Sequence, residues 1–141
     1  MKDVMISIKG TQAPYLAEEE GIELITSGEY SHEGSETVIS YMESEMTGME
    51  GTRTTFRVSP RKVTLTREGS LNAQMVFETG KKHLFLYETP YGATSMGVDT
   101  RRLTTRFGIS GGEMEIDYII DVDSVIVSEN SFIISVREPG A

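Results

Sequence analysis

The feature that most constrains this chain is a period-two alternation of apolar and polar residues that restarts about every ten residues, after a turn signal. No stretch carries a 3.6-residue apolar stripe long enough for a core helix. Val4, Ile6 and Ile8 alternate with Met5, Ser7 and Lys9, and a second strand is expected from Gly21 to Tyr30. Val63 with Leu65 and Met75 with Phe77 repeat the pattern. The longest clean run sets Met114, Ile116, Tyr118, Ile120 and Val122 against Glu113, Glu115, Asp117 and Asp121. Between such segments stand Ser59-Pro60, Arg67-Glu68-Gly69-Ser70, Thr79-Gly80-Lys81 and Thr89-Pro90-Tyr91-Gly92, each with the composition of a turn. Alternation implies strands with one buried face, and the segments add up to about eight to ten short strands. The short connections predict an all-β fold, a single antiparallel meander β-barrel, because a Greek-key sandwich needs longer crossings.

Three local expectations accompany that fold. Thr11 to Glu20, with Pro14 and the triple glutamate Glu18 to Glu20, reads as a solvated loop. His83 to Glu88 is apolar on both faces, which predicts a strand covered on both sides or one whose second side covers an end of the barrel. Glu129-Asn130-Ser131 reads as a turn before a last strand, Phe132 to Arg137.

Thr37 to Val58 contains two alternating segments around a glycine-flanked turn and reads as a β-hairpin. Symmetric pairing about Thr47 to Gly51 would set Glu45 opposite Arg53, Glu43 opposite Thr55, Tyr41 opposite Arg57 and Met42 opposite Phe56. The even face, with Met42, Phe56 and Val58, is then mostly apolar or small, and the odd face carries Tyr41, Glu43, Glu45, Arg53 and Arg57. With the even face inward the barrel is filled and the charged ladder is solvated. With the odd face inward, Tyr41, Glu43, Arg53, Arg57 and Tyr87 form a polar cavity suited to a small ligand. The pattern leaves both arrangements open, with the filled barrel slightly favoured.

Length and composition set the outer bounds. The 141 residues, 38% hydrophobic and 25% charged, suit one globular domain over 1–141. The chain has no cysteine, which excludes disulfides, a thiolate nucleophile, a cysteine-ligated zinc site and an iron–sulfur cluster. MKDVMISIKG lacks the apolar core of a signal peptide, and no run approaches the ~18–20 apolar residues of a membrane helix. A cytoplasmic protein is therefore expected. The net charge of -9 disfavours nucleic acid and anionic membranes as partners.

That charge is unevenly placed. Gly10 to Thr52 holds ten glutamates and no Lys or Arg, whereas Arg53 to Lys82 holds seven basic and two acidic residues. Complementary charge on neighbouring strands is the simple account. Arg53, Arg57, Arg61, Lys62 and Arg67 could alternatively line an anion site if their strands surround a cavity, although no glycine-rich phosphate loop accompanies them.

Taken in order, ISYMESEMTGMEGTRTTF, the basic strand ending at Arg67-Glu68-Gly69, MVFETG, YETPYG and MEIDY resemble the YwiB-like bacterial family, a domain of unknown function. The resemblance spans nearly the whole chain. It implies a calycin-like, lipocalin-type barrel with an internal cavity, and it carries over no catalytic residues.

No catalytic or cofactor motif emerges beside it. Gly108-Ile109-Ser110-Gly111-Gly112 matches the G-x-S-x-G expression, but a strand follows it and neither His32 nor His83 lies downstream, so a hairpin turn is expected. Gly48-Met49-Glu50-Gly51 matches a GXXG loop, yet it is acidic and joins strands. His32 lies in a polar turn and His83 at a strand start, and a metal site would need a carboxylate brought beside one or both, so ordinary surface or strand-end histidines are expected. The expectation is thus a non-enzymatic module without catalytic residues, cofactor or metal, binding a small ligand or a protein partner through Tyr41, Glu43, Arg53, Arg57, Arg67 and Tyr87. An enzyme using those groups as acid, base and anion clamp is the alternative, and a homodimer formed through open strand edges is a third reading.

Overall fold

The computed structural model describes residues 1–14, 20–70, 72–89 and 92–140. It contains ten strands: β1 Lys2–Pro14, β2 Glu20–Glu33, β3 Glu36–Met42, β4 Thr52–Ser59, β5 Lys62–Gly69, β6 Ala73–Phe77, β7 Lys82–Thr89, β8 Gly92–Gly108, β9 Gly111–Val122 and β10 Val125–Arg137. A 3-10 turn, Glu45–Thr47, joins β3 to β4. All strands belong to one antiparallel sheet of order β6-β5-β4-β3-β2-β1-β10-β9-β8-β7. Pairing of β1 with β10 makes the two ends of the chain neighbours, so the sheet breaks between β6 and β7 instead. These edges approach each other without a ladder among the described residues, giving a nearly closed barrel.

The expected meander is present, but several strands run longer than the alternation suggests. Residues 11–14 continue β1, where Ala13 pairs with Glu129, and Glu20 already pairs with Gln12. Of the expected Thr11 to Glu20 loop, only residues 15–19 remain, outside the described residues, as do Pro90 and Tyr91 of the expected 89–92 turn. Glu129 to Ser131 is not a turn. β10 passes through it, with a register shift between Ile126 and Ser128 that breaks the alternation. A similar shift between Thr100 and Arg102 interrupts the alternation within β8, so that the stretches through Met96 and Val98 and through Leu103 and Phe107 read in the sequence as two strands, since an inserted residue inverts which parity faces inward. The Gly108 to Gly112 segment is the expected hairpin turn, with Gly108 paired to Gly111. β7 departs from expectation on its outer face, where Leu84 and Leu86 are 73% and 52% exposed.

Inward side chains close one end of the barrel. Thr37, Val58, Val63 and Phe77 form one cross-strand row, all buried. Tyr30 spans this end from β2, its hydroxyl donating to the Gly108 carbonyl at 2.6 Å and its ring lying 6.2 Å from Phe107. Val4, Ile6, Met114, Ile116 and Ile134 fill the space above it. Each buried aliphatic side chain contributes about 1.5–3 kcal/mol, so this packed half supplies the stability on which the other end rests. Gly28 permits the close approach of β3 to β2, because a Cβ there would stand 2.5 Å from the Ser40 carbonyl oxygen.

Candidate functional site

The hairpin register decides what the open end contains. Ile39 pairs with Phe56, Tyr41 with Thr54 and Met42 with Arg53, an offset of three residues from the symmetric expectation. The turn is asymmetric. Ser44 caps the 3-10 turn by accepting from the Met46 N–H, Gly48 and Gly51 take φ of 74° and 87°, and the Glu43 N–H donates to the Thr52 carbonyl at 2.8 Å. An odd offset reverses one strand's faces relative to the other. The inward set therefore mixes the two expected faces: Thr37, Ile39, Tyr41 and Glu43 from β3 with Thr52, Thr54, Phe56 and Val58 from β4.

Successive cross-strand rows build the site. Ile39, Phe56, Leu65 and Met75 form the row next to the packed end, and Tyr41, Thr54 and Arg67 form the next row toward the opening. Arg67 was expected in a turn, but β5 continues through it and its side chain points inward. Glu43 lies one row beyond. Its carboxylate turns back, accepting from the Thr54 hydroxyl at 2.5 Å and the Thr47 hydroxyl at 3.2 Å, with Oε2 lying 3.9 Å from Arg67 Nε. The Glu43 side chain is 1% exposed and that of Arg67 23%.

These groups face a cavity of about 530 Å³, opening at the end opposite Tyr30. Phe56, Leu65, Ile8 and Ile134 form its floor, Phe132 and Tyr118 one wall, and Ile22, Met46 and Met49 its mouth. Gly10 also lines it, and the space a side chain would take there is bounded by Ile22 Cγ2, 3.3 Å from the position of a Cβ. Phe132 lies 5.9 Å from Phe56 and from Tyr118, extending the aromatic surface to Phe77 beneath. Glu43 and Arg67 are the charged groups among its described lining residues.

Not every expected site residue comes together here. Tyr41, Glu43 and Arg67 do. Arg53 and Arg57 lie on the outer face, because the register offset separates them from Tyr41 and Glu43. Arg53 donates to Ser40 Oγ at 2.8 Å and lies 3.9 Å from Glu29, while Arg57 lies 3.6 Å from Glu36. Glu43 is therefore partnered by Arg67 and not by Arg53. The Tyr87 backbone pairs with Thr94, and its side chain lies outside the described residues. Thr47 and Thr54, which hold the carboxylate, were missed. The visible clue was a run of small hydroxyl side chains, Thr52 and Thr54, on the face expected to be buried.

The site's electrostatics follow from burial. Desolvation pushes the Tyr41 phenol well above its ordinary value of 10.0, the Glu43 carboxylate beside it adds to the rise, and Arg67 opposes it. Burial likewise raises Tyr118, again against Arg67. Tyr41 is thus a retained proton donor. Below pH 10 both folded and unfolded chains keep this proton. Above it the unfolded chain releases the proton while the native state holds it, so stability falls with rising pH. Tyr41→Phe is expected to reduce that alkaline loss by up to about 1.4 kcal/mol per pH unit above the ordinary tyrosine value, measured as urea midpoints from about one pH unit below that value to about one and a half units above it. An unchanged slope would contradict the assignment.

The histidines lie apart from the cavity. His32 Nδ1 is 2.8 Å from the Thr37 hydroxyl and His83 Nε2 is 3.0 Å from Glu78, whose carboxyl is lowered chiefly by that bond. No group of three or more His, Cys, Asp or Glu among the described residues could hold a metal ion. No helix among them is long and apolar enough to cross a membrane.

Fold and site define a class: a ten-stranded antiparallel barrel, packed at one end and hollow at the other. The profile of the family described as Domain of unknown function (DUF1934) matches residues 6–134, and the chain belongs to that family. The crystal structure of the ywiB protein from Bacillus subtilis is similar at TM-score 0.84 and 20% identity, over 96% of this chain and 91% of that one. This likeness supports the barrel fold. No curated protein matches the chain significantly.

Proposed function

We propose that this protein is a non-enzymatic binding module, calycin-like and cytoplasmic, that takes a small ligand into the open end of its barrel. The observation that carries this reading is the cavity of about 530 Å³, with apolar walls and a few convergent polar groups. Its volume lies in the ~300–1,000 Å³ range of small-molecule sites, which combine the same features.

The geometry favours binding over acid–base chemistry. A general base must reach the proton it removes, and both Glu43 oxygens are already engaged by the Thr47 and Thr54 hydroxyls. Tyr41 holds its proton far into the alkaline range. The same groups serve well as fixed partners for a ligand.

The test is a substitution that blocks the mouth without touching the packed half. Ile22 lines the cavity yet is 43% exposed, so Ile22→Trp should fold normally. It is expected to abolish retention of small molecules that the unmodified protein binds, as read by native mass spectrometry. Equal retention by both proteins would place the ligand elsewhere.

A further inference from the structure

Resting on the cavity reading above, we infer that the ligand is a monocarboxylic acid with a compact, ring-bearing apolar body, its carboxylate held by Arg67 and its ring set against Phe56, Phe132 and Tyr118.

The two charges of the cavity are not equally available. Glu43 is sealed, with its side chain 1% exposed and both oxygens accepting hydroxyl hydrogen bonds, whereas Arg67 is 23% exposed. A ligand entering from the mouth therefore meets a cation. Glu43 stands behind it, offsetting the cost of burying the guanidinium and fixing its position. The pair is not saturated. The Arg67 Nε–H is itself buried and has no hydrogen-bond partner among the described residues, the Glu43 oxygen at 3.9 Å being beyond hydrogen-bond reach. The exposed part of the side chain therefore lies at its other atoms, and a ligand would meet the terminal nitrogens. A planar fork with unused donors matches a carboxylate.

The remaining lining narrows the class. With one exposed cation and no glycine-rich cradle, the site lacks the several donors that a phosphate or other multiply charged anion needs. An amine would face Arg67 directly, because Glu43 is shielded. The polar groups near the rim, Gln12, Asn130 and Ser131, are neutral. Edge-to-face contacts already order the aromatic wall, with Tyr118 and Phe132 inclined at 79° to each other, and such surfaces favour a further ring.

Three isosteric probes separate head-group recognition from cavity binding: 4-phenylbutyrate, 4-phenylbutanol and 4-phenylbutylamine, each titrated calorimetrically into the whole protein. The acid is expected to bind at least about ten-fold more tightly than the alcohol, the gain of a charge-assisted hydrogen bond, with the amine weakest. Arg67→Gln should bring the acid down to the alcohol, while Arg67→Lys, which keeps the charge and loses the fork, should retain part of the preference. Circular dichroism of each variant establishes that it is folded. Equal binding of acid and alcohol, or an acid preference that survives Arg67→Gln, would overturn the carboxylate assignment and leave the cavity reading standing. Failure of all three probes to bind would count against both.

Discussion

Replacing Phe77 by alanine is expected to destabilise the protein by about 3–5 kcal/mol, the range for truncating a fully buried aromatic side chain. Phe77 is 0% exposed and lies beneath the aromatic wall, its ring edge-on to Tyr118 at 4.9 Å and to Phe132 at 5.9 Å. It ends β6, the short strand at one edge of the sheet, so it also ties that edge to the opposite side of the barrel. The loss therefore combines the transfer of a ring to water, the void left behind and broken ring contacts. Urea denaturation should show a lower midpoint with little change in slope. A loss below about 1 kcal/mol would mean that neighbouring side chains collapse into the space, contrary to the rigid packing of a barrel interior.

The second large effect concerns the ion pair. Arg67→Met is expected to cost about 3 kcal/mol, because it leaves a charge buried without its partner. The penalty is attributed to Glu43, whose carboxylate is sealed from solvent, and not to the loss of Arg67 contacts. Adding Glu43→Gln should then recover most of the loss. Glutamine still offers its carbonyl oxygen to a threonine hydroxyl, but it carries no charge. A double variant as unstable as Arg67→Met alone would show that Arg67 supports the barrel by packing and not by electrostatics.

The barrel was legible in the sequence where strands alternate cleanly and end at strong turn signals. Met114 to Val122 alternates as expected, its even positions facing inward through Ile120, and Pro60 and Gly80 mark turns. Strand lengths were less legible, for two physical reasons. The shifts near Arg101 and Val127 change which parity faces inward, so each long strand reads as two short ones. Pro14 stands at the last position of β1, a place where a proline does not disrupt the strand interior.

Half of the candidate site could be read from residue type and the other half depended on register. Tyr41 and Glu43 stood out as polar groups within a strong strand, but which arginine they meet is set by a 3-10 turn and two glycines at positive φ. One turn geometry puts Arg53 and Arg57 with them, and the observed one puts Arg67 there instead. Gly10 and Ile22 were hidden for another reason. They face the cavity only because β1 and β2 extend together beyond Gly10, through a segment whose proline and glutamates suggested a loop.

The central claim, that the open end of this barrel holds a small ligand, is tested most directly by native mass spectrometry of the protein and its Ile22→Trp variant, both purified gently from the protein's own source. The account predicts an added small mass on the unmodified protein that is absent from the variant. The same added mass on both, or none on either, would contradict it.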